Sequence, residues 1–352
     1  MTGRTPRARG FSPPPEWAPH DGVWLAWPSH DDLWGEHFEG AQTEFIAFCE
    51  AIADLDEQGR PRGETLQILV PNGTRHLEAS ARLEHLAPRL HRIPFGDIWM
   101  RDIAPIFVRN DAGEIAAVSF AFNGWGNKYV LDGDEMVASR VAEQAGCEHF
   151  AFGFVLEGGA LEHDGQGTFL TTRSCLLNPN RNPGMELKTI EHQLGEALGA
   201  RKVLWLDDGL LHDHTDGHID TLVRFIEPGR VLCMAPSGDD DPNRAVLEAI
   251  AKDLARMRDA EGRALSVERI PSPGLVKDDE GTVMPASYAN FYVANTTVAV
   301  PTYGTPYDDA VLARLGELFQ GRRVVGCPSK TILMGGGALH CISQQEPLRS
   351  VQ

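Results

Sequence analysis

A chain of 352 residues, 42% hydrophobic and 23% charged, has the composition of an ordinary globular protein and the length to bury a large core. Its formal net charge of −18 argues against nucleic acid or anionic lipid as a partner and favours a cationic small molecule wherever a pocket focuses the field. No apolar run approaches the length of a membrane span, so no membrane partner is expected either.

In chain order, residues 1–16 (MTGRTPRARGFSPPPE) carry arginines and prolines but no apolar stretch of a secretory signal, and are expected to be a mobile tail that becomes ordered near Trp17. Helical periodicity then predicts helices at about 39–58, 74–87, 132–146, 184–198, 242–259 and 307–319. Between them lie β-type runs: GVWLAWP, TLQILVP, IAPIFV, IAAVSFAF, TFLTT, KVLWL, TLVRFI, RVLCMAP and NFYVANTTVAV. Helices alternate with strands throughout, which predicts an α/β fold. The later helices recur every fifty to sixty-five residues, as a repeated β-rich unit would, although no sequence match between units is visible. The stretch 268–286 reads as a long surface loop. No proline- or serine-rich linker divides the chain, so residues 17–352 are read as one domain.

The six cysteines, at 49, 147, 175, 233, 327 and 341, include no Cys-x-x-Cys pair. Without a secretion signal they are expected to be reduced thiols in a cytoplasmic protein. Five sit in apolar surroundings and read as small core residues. Cys341 instead follows three glycines and precedes the C-terminus by only eleven residues. Glycines let a ligand approach the backbone closely, and a thiolate behind them would be a nucleophile. The bland reading is a buried thiol beside a tight turn.

Four polar clusters interrupt the apolar pattern: GDIWMRDIAP (96–105), LEGGALEHDGQGT (156–168), LHDHTDGHIDTLVRF (211–225) and GGGALHC (335–341). Each lies where a predicted strand begins or ends, the usual place for site residues on an α/β scaffold. In the first, Asp97 and Asp102 flank Trp99 and Arg101, as an ion-paired loop or as a binding wall. In the second, Glu157 ends an apolar run, and a buried carboxylate there needs a partner such as a histidine. The third allows three readings. His212, His214 and His218 with the aspartates nearly reproduce a zinc-hydrolase pattern, but Gly217 intervenes before His218. They could be solvated turn residues. Or His218 and Asp220 could be an acid–base and binding pair.

Taken together, WPSHDDLW, GDIWMRD, FNGWGNKY, LEGGALEHDGQGTFLTT, LLNPNRNPG, TDGHID, SYANFYVAN and GGGALHCISQQ resemble the agmatine deiminase family, whose relatives include bacterial peptidyl-arginine deiminases. The resemblance runs from about Trp17 to Gln345. It implies a five-bladed, pseudo-symmetric α/β propeller of the pentein type, with its site on the axis and neither metal nor cofactor. By motif match it implies Cys341 as nucleophile, His218 as acid–base residue, and Asp102 and Asp220 as guanidinium ligands. Trp99 would line the pocket, Glu157 would orient or charge-stabilise His218, and Asn290 would lie near the nucleophile. The expected activity is hydrolysis of agmatine to N-carbamoylputrescine and ammonia, with oligomeric state left open. The alternatives are another guanidine such as peptidyl arginine, a zinc hydrolase built on HDHTDGH, or a catalytically silent ligand-binding propeller. His214, Thr221, Ile103 and Ala104 depart from the family's usual residues, which bears on the substrate's tail.

Overall fold

The computed structural model describes residues 5–349. Its sixteen strands fall into five separate small sheets. The first blade runs from β1 (His20–Ala26) through helix Phe38–Ala53 to the parallel β2 (Thr65–Val70), then through helix Gly73–Leu83 to β3 (Arg89–Arg92). Each later blade is an antiparallel pair followed by a helix that crosses over to a third strand parallel to the second. These are β4 (Ile106–Arg109), β5 (Ile115–Ala121) and β6 (Glu148–Val155); β7 (Glu162–His163), β8 (Thr168–Thr172) and β9 (Lys202–Leu206); β10 (Val223–Glu227), β11 (Arg230–Ala235) and β12 (Ser266–Pro271); and β13 (Tyr292–Val293), β14 (Thr297–Thr302) and β15 (Arg323–Pro328). The ring closes when β16 (Gln344–Pro347) returns to pair antiparallel with β1, Trp24 opposite Gln344. The end of the chain is thereby tied down, three residues past Cys341. The α/β architecture matches the expected propeller.

The predicted helices form within a few residues of their expected bounds, each burying an apolar face against its own sheet. The run 290–300 is a hairpin rather than one strand, because Ala294 N–H turns to the Thr297 carbonyl at 2.9 Å. The third strands β3, β6, β12 and β15 went unread, as did the short β7 and β16. These four third strands are outer strands with many exposed or half-buried positions, so they lack the apolar signal of the inner pair. Stretch 268–286 begins inside β12, so it is a loop only in its later part. Among the described residues no helix is long and apolar enough to cross a membrane, and all six cysteines are free thiols.

The expected mobile tail needs correction. Residues 1–4 lie outside the described residues, but residues 5–16 pack on the domain. Ser12 bridges to Arg109, Phe11 is buried, and Glu16 reaches the polar centre of the ring. There Arg224 is almost wholly enclosed, its guanidinium donating to Glu16 at 2.5 Å, to Glu162 at 3.1 Å and to the Ala289 and Phe291 carbonyls. Burial alone would raise the Glu16 pKa, but Arg224 and His340 hold it well below the ordinary range. A depressed folded-state pKa means that this stabilisation is present above the unfolded carboxylate's pKa and is lost as pH falls through the folded value. Glu16→Gln is therefore expected to cost about 3–5 kcal/mol in urea unfolding at pH 7, because it leaves Arg224 underpaired. The gap to the unmutated protein should shrink as pH drops below about 4. An unchanged urea midpoint at pH 7 would show that Glu16 carries no such load.

Candidate active site

The side chains singled out in the sequence lie at equivalent places in the ring. Asp102 stands four residues before β4, Glu157 five before β7, Asp220 three before β10, Asn290 two before β13 and Cys341 three before β16. Each blade thus offers the loop that enters its first strand. Pseudo-symmetry brings five distant stretches of chain to one place.

Cys341 follows the helix Lys330–Met334 and the loop Gly335–Gly337. A Cβ at Gly335 would lie 2.8 Å from the rings of both Trp34 and Trp99. At Gly336, whose φ is +108°, it would lie 2.9 Å from the His214 ring, and at Gly337 it would lie 3.1 Å from Cys341 Sγ. Three glycines are needed because the loop is clamped between aromatic rings and the thiol. Cys341 is buried. Asn290 Nδ2 donates to its sulfur at 3.1 Å, and the sulfur lies 3.6 Å from Asp220 Oδ2. Burial pushes the thiol pKa well above its ordinary value, and Asp220 and Asp102 add to the rise.

Asp102 accepts from the Gly159 N–H at 2.9 Å and from the Trp125 indole at 2.8 Å. Burial raises its pKa against the pull of His218. Asp220 is fully enclosed; burial would raise its pKa, but His340, whose Nδ1 lies 2.8 Å from Oδ2, brings it below the ordinary value. His218 is also fully enclosed. Its Nδ1 is 3.8 Å from Asp102 and its Nε2 is 3.9 Å from Glu157 Oε2, and neither nitrogen has a hydrogen-bond partner among the described residues. Burial disfavours its charge, but Asp102 and the neighbouring Cys175 and Glu157 outweigh burial and set its pKa well above the usual value. Glu157 accepts from Arg181 Nε at 2.7 Å; burial would raise its pKa, yet His218 and Arg181 bring it down.

In front of the thiol is a cavity of about 370 Å³. Trp34, Trp99, Trp125 and Tyr129 wall it, and Asp97, Asp102, His214 and Cys341 face it. Asp97 is fixed by the Trp99 and Trp34 indoles at 2.8 and 3.2 Å. Aromatic walls with carboxylates at the closed end suit a flat organic cation. A sulfur between two carboxylates, with an imidazole behind, can attack such a cation and move protons. Trp34, Trp125, Tyr129, Arg181 and His340 were not read as site residues. All five stand inside quoted motifs, Trp34 in WPSHDDLW, Trp125 and Tyr129 in FNGWGNKY, Arg181 in LLNPNRNPG and His340 in GGGALHCISQQ, and that was the available signal.

The three histidines of HDHTDGH do not converge. Positive φ at His212, Asp216 and Gly217 turns the chain three times. His212 is left exposed against the Val283 carbonyl, His214 at the cavity mouth, and only His218 inside. A zinc site on that cluster is not formed.

The chain matches the model of the Porphyromonas-type peptidyl-arginine deiminase family over residues 12–347. An agmatine deiminase of Ectopseudomonas mendocina is 37% identical over 97% of both chains, and one of Stutzerimonas stutzeri is 38% identical over the same shares. The structure of an agmatine deiminase of Enterococcus faecalis superposes with a TM-score of 0.90 at 33% identity, covering 99% of each chain. With the ring, the thiol and the carboxylates already in place, these likenesses leave one assignment: the chain belongs to the Porphyromonas-type peptidyl-arginine deiminase family, among its agmatine deiminases.

Proposed function

We infer that the protein hydrolyses agmatine to N-carbamoylputrescine and ammonia through a covalent adduct on Cys341. The observation that carries this is the buried sulfur beside Asp220, with Asp102 and His218 around it, at the closed end of an aromatic cavity.

Asp102 and Asp220 bind the guanidinium and hold its carbon toward Sγ. That carbon is a poor electrophile, so a thiolate is required. In the empty site the carboxylates disfavour one, but an arriving cation neutralises them and brings positive charge beside the sulfur. Asn290 donates to the sulfur and steadies its negative form. Sulfur attack gives a tetrahedral adduct, and the C–N bond breaks as charged His218 protonates the departing ammonia. The amidino-thioether remains. Neutral His218 then takes a proton from water, whose oxygen adds to the same carbon; the C–S bond breaks as the new hydroxyl loses its proton, which ends on the released ammonia, and the ureido product and the thiolate are set free. Glu157, itself paired with Arg181, keeps His218 oriented and favours its charged form. Trp99 forms part of the wall along the substrate.

The tail decides between agmatine and arginine, which differ by one carboxylate. A cavity already carrying Asp97 and Asp102 should repel that anion, and each ~1.4 kcal/mol is about tenfold in specificity. Agmatine is expected to exceed free arginine in kcat/KM by at least ~10²-fold. The measurement is kcat/KM for agmatine, arginine and a peptide ending in arginine, repeated in His214→Glu. If arginine or the peptide matches agmatine in the unmutated protein and His214→Glu restores the preference, the substrate is wrong while deimination stands.

A further inference from the structure

Beside His218 and Glu157 lies a second thiol. Cys175 sits in the helical turn Arg173–Leu176, whose start is fixed by Thr172 Oγ1 accepting from the Cys175 N–H at 3.3 Å. Donor atoms of Glu157, Cys175 and His218 all lie within 4.8 Å of one another, and the three residues are fully enclosed. Two of these donors are unpartnered: Glu157 Oε2, whose sister oxygen takes the Arg181 bond, and His218 Nε2. They face each other at 3.9 Å. A buried polar atom without a partner is costly, and two converging beside a thiol imply a shared occupant.

We propose that Glu157, Cys175 and His218 form a zinc site that inhibits the enzyme by taking the lone pair of His218. A thiolate, an imidazole and a carboxylate are the three donor types zinc prefers, and three protein ligands leave a fourth position for water. Bonds of about 2.0 Å to N and O and about 2.3 Å to S put tetrahedral donors ~3.3–3.7 Å apart, so the side chains need to close by roughly 1 Å. Binding releases two protons to solvent, one from the thiol and one from Nε2 of charged His218, and the charges of thiolate and carboxylate then balance the ion. Zinc there leaves Cys341 untouched. It removes the group that protonates ammonia and activates water, so inhibition rests on the role proposed for His218, while binding does not.

The test uses the full-length protein stripped of metal by a chelator, which is expected to be fully active. Addition of cobalt(II) alone should give one ion per chain and a thiolate-to-cobalt absorption band. The band should persist in Cys341→Ala and vanish in both Cys175→Ala and Cys175→Ser, each checked for an unchanged Tm. Zinc should inhibit the unmutated protein reversibly, chelator restoring the rate. Loss of the sulfur ligand should raise the inhibiting zinc concentration at least ~100-fold. The proposal is overturned if cobalt gives no sulfur band, or if the band follows Cys341 rather than Cys175. Cobalt binding with the Cys175 band intact but no loss of turnover would keep the site and remove its inhibitory role.

Discussion

A haloacetamidine is expected to place a single adduct on Cys341, and Cys341→Ala is expected to lower kcat at least ~10⁴-fold, as when one member of a catalytic unit is removed. All six thiols are unreactive by default. Burial pushes Cys147 and Cys233 to about 11 and Cys327 to about 12, and Cys49, Cys175 and Cys341 are raised as well. A thiol at pKa 11 is about one part in 10⁴ thiolate at pH 7. Selectivity must therefore come from the reagent's cation, which Asp102 and Asp220 capture and which favours the thiolate beside them. This gives a sharper form of the test. The neutral haloacetamide of the same size should label Cys341 far more slowly, and agmatine should protect against the cationic reagent only. Peptide mapping by mass spectrometry decides it. Equal labelling by both reagents, or adducts spread over several cysteines, would mean that the carboxylates do not activate the sulfur.

The sequence made the site legible through residues that break an apolar pattern at strand ends. Asp102, Glu157, His218 and Asp220 could be picked out because polar residues between apolar runs are conspicuous, and Cys341 because three glycines precede it, whereas Asn290 stood out only through the family motif SYANFYVAN. What stayed hidden needs a partner far along the chain. Glu16 pairs with Arg224 from 208 residues away and with His340 from 324, so its local context of prolines suggested only a tail. The meaning of the glycine run before Cys341 was hidden for the same reason. Gly335, Gly336 and Gly337 read as an approach for a ligand or as a tight turn until Trp34, Trp99 and His214 are seen pressed on them. Four of the five outer strands were missed because they bury too little to carry a period, whereas the apolar run of β9 was read. One local turn pattern was legible in the sequence. A turn of the form Asp/Asn-x-x-Gly-x recurs at 56–60, 110–114, 164–168, 259–263 and 278–282, its glycine at φ between +73° and +87°. In four of them the aspartate accepts from the backbone two and four residues on, as Asp164 does from Gln166 and Thr168. Asp164 was read within a chemical cluster, but this turn is its work.

Gly159→Ala is expected to lower kcat/KM at least ~10³-fold while the protein stays folded. Gly159 lies in the turn Gly158–Ala160 without a left-handed φ, so its backbone accepts alanine. Its own N–H carries the bond to Asp102 Oδ1, which alanine retains. The new methyl is the whole perturbation. It would sit 2.6 Å from His218 Nδ1, 2.9 Å from Asp102 Oδ1 and 3.2 Å from Asp220 Oδ2, in the gap between the imidazole and the two carboxylates. These groups are enclosed and cannot swing into solvent, so the imidazole or the Asp102 carboxylate must be displaced. A shift of about 1 Å in a positioned group costs ~10²-fold, and a misplaced acid–base group forfeits part of its own ~10²–10⁴-fold. Gly153→Ala is the control, since a Cβ there meets nothing within 4 Å. The direction of the shift is also testable. His218 owes its raised pKa to Asp102 against the cost of burial, so separating the two should move the limb of the kcat/KM profile that reports His218 toward lower pH. A full-speed Gly159→Ala enzyme with an unmoved profile would mean that His218 and Asp102 do not act on the substrate from where they stand.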